Sequence, residues 1–170
     1  TAGARHALIG PNGAGKTTFV NMLTGGLAPS SGTISLGGID VTHHSQRERV
    51  KRGLGRTFQI NTLFRNLTVL DNVGLAIAER LGMGSNMFRP ANRERAVLDE
   101  SVAVLESLGL AEDRRLPGSA LPYGQQRLGE IAIALGMRPK VLLLDEPAAG
   151  IPSMESHGIL EVLASLPSEI

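Results

Sequence analysis

Four short apolar runs punctuate the chain, at His6–Ile9, Thr33–Leu36, Leu54–Phe58 and Val141–Leu144, and turn-forming or polar residues flank them. Runs of this length with such edges predict β-strands. Between them, apolar residues recur at helical spacing over Lys16–Leu23, Thr68–Arg80, Arg93–Leu108, Gly124–Met137 and Ser153–Leu166, which predicts helices there. Strands alternating with helices predict an α/β architecture with a largely parallel sheet. Residues 61–121 carry only helical and loop patterns. Together with the glycine-led helix that follows, they predict a helical subdomain over 61–137, inserted into one domain whose α/β core comes from 1–60 and 138–170. Gly82–Asn92 mixes glycine, proline and polar residues and reads as an exposed loop.

Candidate chemistry begins where the first predicted strand meets the first predicted helix. Gly10–Thr18 reads GPNGAGKTT and fits the phosphate-loop pattern G-x-x-x-x-G-K-[ST] at each fixed position. Gly10, Gly13 and Gly15 let the backbone curl, so that successive N–H groups face a phosphate at a helix N-terminus. Lys16 brings a positive charge to the β- and γ-phosphates, and the Thr17 hydroxyl is a ligand type suited to Mg²⁺. Asn12, Gly13, Gly15, Lys16, Thr17 and Thr18 form the expected nucleotide-contact set.

The strand Val141–Leu144 runs directly into Asp145, Glu146 and Pro147. A buried parallel strand delivers both carboxylates at its C-terminal edge, where ligands of open α/β sheets bind. Asp145 is then placed to hold the Mg²⁺ shell, and Glu146 to polarise an attacking water as general base. Many strands end in an acidic turn, so this pattern gains its meaning from the phosphate loop upstream. Gln59 closes the Leu54–Phe58 strand with a neutral amide that suits both Mg²⁺ and water. The segment Leu121–Arg127, LPYGQQR, opens a helix and offers a second positively polarised helix end to a γ-phosphate.

Composition narrows the partners. The chain has 170 residues, about one domain, and a formal net charge of +1 without a dense basic stripe, so nothing favours nucleic acid as a ligand. Cysteine is absent, which excludes disulfides and thiolate metal sites and fits a reducing compartment. Since no apolar run approaches the roughly 18 residues of a membrane span, any membrane association is expected to come through a partner. Tryptophan is also absent, which argues against a base-stacking surface.

In order, phosphate loop, glutamine, helix-opening segment and acidic strand end resemble the ATPase subunit of ATP-binding cassette (ABC) importers of the branched-chain amino acid type. The passages carrying the resemblance are HALIGPNGAGKTTFVNMLTG, GLGRTFQINTLFRNLTVLDNV, LPYGQQRLGEIAIAL and LLLDEPAAGI. It implies a P-loop NTPase core that binds ATP and Mg²⁺ and powers uptake of branched-chain amino acids or a related small solute. It also implies two ATPase subunits paired head to tail, with ATP between Lys16 and Thr17 of one and Gly124 and Gln125 of the other. Glu146, Gln59 and Lys16 are then the catalytic residues, and Thr17, Gln59 and Asp145 the metal ligands. Transmembrane permease subunits would receive the motion through Gln59 and the segment Asn61–Arg80, at the cytoplasmic face of the inner membrane, with a solute-binding protein acting indirectly.

The family also has strands before the phosphate loop and a further strand, ending in a switch histidine, after the Ser153–Leu166 helix. Neither is found between Thr1 and Ile170, and His6, His43, His44 and His157 do not match the switch position. The expectation is therefore a domain fragment incomplete at both ends and catalytically incompetent alone. Pro122 stands where the family has serine, Tyr123 where it has glycine, Ile133 where arginine is common, and Ile151 where a polar residue is usual. These departures keep a second reading open: a degenerate or non-transport module that binds ATP without hydrolysing it efficiently.

Overall fold

The computed structural model describes residues 4–57, 63–83, 94–144 and 153–166, so Gln59, Asp145, Glu146 and most of the Gly82–Asn92 loop lie outside the described residues. The chain divides into two compact units, one built from residues up to Arg56 with Pro139–Leu143, the other from Thr57–Arg138 with Leu144–Leu166.

The first unit opens on α1, Lys16–Thr24, which follows the phosphate loop. Gly25 ends it at φ +81°, and its N–H returns to the carbonyls of Asn21 and Met22, the left-handed termination that glycine adopts most cheaply. A hairpin follows, β1 (Ser35–Leu36) against β2 (Ile39–Asp40). Gly37 and Gly38, at φ +58° and +80°, supply the left-handed pair that a two-residue hairpin turn requires. The short helix α2, Gln46–Lys51, was not expected from apolar periodicity, because QRERVK carries no apolar stripe. Its start was nevertheless written in the sequence as a capping box. The Glu48 N–H donates to Ser45 Oγ at 3.4 Å, while Ser45 N–H donates back to Glu48 Oε2 at 2.8 Å. Strand β3, Leu54–Arg56, then pairs in parallel with β4, Val141–Leu143, matching Leu54 to Val141, Gly55 to Leu142 and Arg56 to Leu143.

Two strand expectations need correction. His6–Ile9 joins no ladder among the described residues, and its Leu8 and Ile9 are 54% and 89% exposed. An apolar run becomes a strand only where a neighbour takes up its N–H and C=O groups, and none of the described residues does so here. Thr33–Leu36 shortens to Ser35–Leu36, because Ile34 N–H donates out of the ladder to Thr42 Oγ1 at 2.8 Å.

The second unit holds the apolar core. Helices α3 (Val69–Arg80), α4 (Arg95–Ser107), α5 (Tyr123–Gly136) and α6 (Ser153–Ser165) contribute to it. Val69, Val73 and Ile77 stand four residues apart on one face of α3 and are fully buried with Val97, Leu105 and Ile131. Thr68 caps α3 by accepting from Asp71 N–H at 3.0 Å. Where α5 crosses α3, a Cβ on Gly136 would lie 3.1 Å from Ile77 Cγ1, so the crossing depends on a missing side chain. Glu100 of α4 accepts from Arg80 at 2.6 Å and from Arg138 at 2.8 Å, while Arg80 Nε also donates to the Gly136 carbonyl. One carboxylate thus ties α3, α4 and the end of α5 together.

Candidate nucleotide site

The phosphate loop closes on itself. Ala14 N–H donates to the Pro11 carbonyl at 3.2 Å, and the backbone turns left-handed at Gly13 (φ +82°) and Gly15 (φ +86°). A Cβ built on either glycine meets nothing within 4 Å, so they are demanded by the backbone path and leave open space above the loop. Gly15 caps α1 without a side chain, and the first turn of α1 contains no acidic residue. The amides of this helix end are consequently suited to an external anion. Lys16 Nζ folds back over the loop, donating to the carbonyls of Gly10 and Pro11, the latter at 3.0 Å. Asn12, Gly13, Gly15, Thr17 and Thr18 are exposed, and Lys16 is half-buried. Nearly every group here is a donor, the chemistry that phosphate oxygens require. The Thr17 hydroxyl adds the lone pairs a hard cation needs.

Two residues not picked out from the sequence hold this loop's helix in place. Arg49 of α2 is buried and satisfied by backbone carbonyls alone: Met22 at 2.6 Å and Leu23 at 2.7 Å in the last turn of α1, Thr42 at 2.9 Å and His44 at 3.1 Å. A guanidinium at a helix C-terminus complements the dipole whose other end faces the phosphate. In sequence it reads as one more charge on a solvated turn, and nothing distinguishes it. Arg56, at the end of β3, donates through Nη1 to Asn21 Oδ1 at 2.9 Å and to Thr24 Oγ1 at 3.4 Å on α1. This contact spans 35 residues, beyond the reach of local patterning.

Gly124 and Gln125 lie in the second unit, in the first turn of α5. Pro122 occupies the N-cap with extended backbone (φ −53°, ψ 153°) and no side-chain cap bond. Gly124 is buried, and Gln125 Nε2 donates to Asp113 Oδ2 at 2.8 Å, which fixes the rotamer of that side chain. Arg127 donates to Glu130 Oε2 at 2.8 Å and to Tyr123 Oη at 2.7 Å, with its guanidinium 5.1 Å from the Tyr123 ring centre. Burial opposes its charge, but the hydrogen bonds to Glu130 and Tyr123 outweigh this and raise its pKa. The Arg127 charge is thus held in an ion pair with the buried Glu130 carboxylate within α5.

The ABC transporter family profile matches residues 1–149. Over 165 residues the chain is 40% identical to the high-affinity branched-chain amino acid transport ATP-binding protein LivG of Escherichia coli, covering 94% of this chain and 65% of that one. Over 170 residues it is 38% identical to the corresponding protein BraF of Pseudomonas aeruginosa, covering 96% of this chain and 66% of the relative. It thus spans about two thirds of the length of these relatives. Among solved structures, the ADP conformation of MJ1267, an ATP-binding cassette of an ABC transporter, superimposes with a TM-score of 0.77 at 32% identity, covering 91% of this chain and 62% of that one. The cbiO1 protein of Clostridium perfringens, part of the ABC transporter complex cbiONQ, gives 0.75 at 31% identity, covering 91% and 59%. With the phosphate loop heading α1 and a fold shared with these ATP-binding cassettes, the chain belongs to the ABC transporter family.

Proposed function

We propose that the full-length protein is the ATP-binding and hydrolysing subunit of an importer for branched-chain amino acids or a related small solute. The observation that carries the ATP reading is the donor-lined loop, with Gly13 and Gly15 left-handed and Lys16 at the head of α1. The solute class rests on the names of LivG and BraF. In this reading the amides from Gly13 to Thr18 and the side chain of Asn12 receive the phosphates, and Lys16 Nζ exchanges the Gly10 and Pro11 carbonyls for β- and γ-phosphate oxygens. Mg²⁺ would be held by Thr17, Gln59 and Asp145, and when bound it neutralises charge on those oxygens. Glu146 takes a proton from water as the water oxygen bonds to the γ-phosphorus; the bond to the β-phosphate oxygen breaks and ADP leaves.

A second copy, paired head to tail, would present Gly124 and Gln125 at the positively polarised start of its α5. Residues 61–137 act as the helical subdomain and 1–60 with 138–170 as the α/β core. Permease subunits engage the segment after Gln59, with a solute-binding protein upstream, and hold the protein at the cytoplasmic face of the inner membrane. Among the described residues no helix is long and apolar enough to cross a membrane.

The test is Glu146→Gln in the full-length protein with its permease. Binding of Mg–ATP is expected to persist while steady-state hydrolysis falls at least ~100-fold. Turnover at the unmodified rate removes Glu146 from its role, and a wild-type protein without affinity for Mg–ATP overturns the reading as a whole. Pro122, which contributes neither hydroxyl nor N–H at the head of α5, favours the second reading of a module that binds ATP without efficient hydrolysis. Tight wild-type binding without turnover would select it.

A further inference from the structure

We infer that Arg56 is a positioning residue for the magnesium side of the nucleotide site; the inference rests on the ATPase reading above. Thr17, Asn21 and Thr24 stand at i, i+4 and i+7 on α1 and therefore share one helix face. Arg56 donates to the second and third members of that row, Asn21 Oδ1 at 2.9 Å and Thr24 Oγ1 at 3.4 Å. The Thr24 hydroxyl spends its own proton on the Val20 carbonyl at 3.0 Å, so its oxygen is left to accept. The face of α1 that bears the Thr17 hydroxyl is thus pinned to the last residue of β3.

Arg56 also stands where the paired strands β3 and β4 end. Gln59 follows it by three residues. In the parallel ladder it is matched to Leu143, and Asp145 follows Leu143 by two residues. One guanidinium thus fixes the face of α1 that bears Thr17 against the paired ends of β3 and β4. Both bonds leave one nitrogen, Nη1, so a single group of the guanidinium ties the two side chains of α1 to β3. Arg49 differs in kind: it grips backbone carbonyls at the far end of α1.

The experiment uses the full-length ATPase in complex with its permease and compares wild type with Arg56→Gln, Asn21→Ala and the double variant. Mn²⁺ affinity is measured by EPR on protein saturated with a non-hydrolysable ATP analogue, and affinity for the same analogue is measured in EDTA. Arg56→Gln is expected to weaken Mn²⁺ binding ~10-fold and to lower kcat by ~10- to 100-fold, since displacements near 1 Å cost on that order. Affinity for metal-free nucleotide should stay within about twofold, because the loop amides and Lys16 are untouched. The double variant should be no worse than the more affected single one, as the two residues act through one contact. Should Arg56→Gln fail to fold, Asn21→Ala carries the same test, since it removes the acceptor and leaves β3 intact. Unchanged Mn²⁺ affinity in a folded variant, parallel losses of thermal stability and metal-free nucleotide affinity, or additive effects in the double variant would each overturn the inference. A wild type that binds no ATP analogue overturns the ATPase reading itself, whereas a normal wild type beside an unaffected Arg56→Gln rejects this inference alone.

Discussion

Gly25 and Gly32 share nearly the same left-handed backbone, φ +81° and +85°, but their surroundings differ. A Cβ on Gly32 meets nothing within 4 Å, whereas one on Gly25 lies 3.0 Å from Arg49 Nε, 3.0 Å from the His44 carbonyl oxygen and 3.2 Å from Gln46 N. Gly32→Ala therefore carries only the conformational penalty of a left-handed L-residue, about 1–2 kcal/mol. Gly25→Ala adds overpacking against two backbone atoms that cannot rotate away, about 1–3 kcal/mol more. It also pushes on the arginine that caps α1. Urea denaturation of the full-length protein checks the ranking, and equal losses at the two sites would show that the Gly25 environment yields freely. Gly13 and Gly15 resemble Gly32 in having no protein atoms above them, but at a phosphate loop that space is where a ligand approaches. This is why the loop was legible in sequence: backbone path, charge and hydroxyl lie within nine consecutive residues, Gly10–Thr18. Arg49 and Arg56 were not legible, because what they hold is set by tertiary approach rather than by neighbours in the chain.

At the scale of elements, the helices of the core were readable because each buries one face. α3 runs Val69–Arg80 against an expected Thr68–Arg80, and α5 runs Tyr123–Gly136 against Gly124–Met137, differences of one residue at the ends. Helix α2 escaped because its hold is polar. Glu48 accepts from Ser45 Oγ at 2.6 Å and from the Ser45 amide, and these side-chain and backbone bonds lower its pKa below the ordinary 4.5. Asp40 is lowered in the same way by the hydroxyl and amide of Thr42, the latter donating at 2.8 Å. For carboxylates whose folded pKa is depressed, the contribution to stability is present above the unfolded value and is lost as pH falls through the folded value. The hairpin and the start of α2 should therefore loosen as pH falls below the ordinary carboxylate range, ahead of α3 and α5, whose apolar faces are buried in the core. NMR shifts of the Thr42 and Ser45 amides across pH 3–6 follow the two carboxylates directly. Glu48→Gln should abolish the Ser45 response while leaving that of Thr42. A Ser45 amide that still titrates in Glu48→Gln would place the proton elsewhere.

For the whole molecule, the distribution of apolar burial decides which part opens first. Among the described residues, buried apolar side chains of the second unit include Val69, Val73, Ile77, Leu105 and Ile131, while those of the first unit are Val41 and Leu54. The first unit instead exposes Leu8, Ile9, Phe19, Leu27 and Ile39. A region with so little core is held by caps, hairpin turns and the two arginines, and its amides should exchange through local opening well below the global unfolding free energy. A ligand that binds the closed phosphate loop and not its opened form lowers that opening in proportion to saturation. At one hundred times Kd this amounts to about 2.7 kcal/mol, or ~100-fold slower exchange. Hydrogen exchange of the full-length protein, with and without a non-hydrolysable ATP analogue and Mg²⁺, should therefore slow α1 amides such as Phe19 by up to that factor. Amides of α3 and α5 that exchange by their own local opening should change much less, because the loop they would need to hold is not theirs. Equal slowing in α1, α3 and α5 would mean that the two units open as one cooperative body, so that nucleotide stabilises the helical core as strongly as its own loop. No slowing in α1 at saturating ligand would mean that the nucleotide binds elsewhere, which the left-handed glycines and folded-back Lys16 of Gly10–Thr18 argue against.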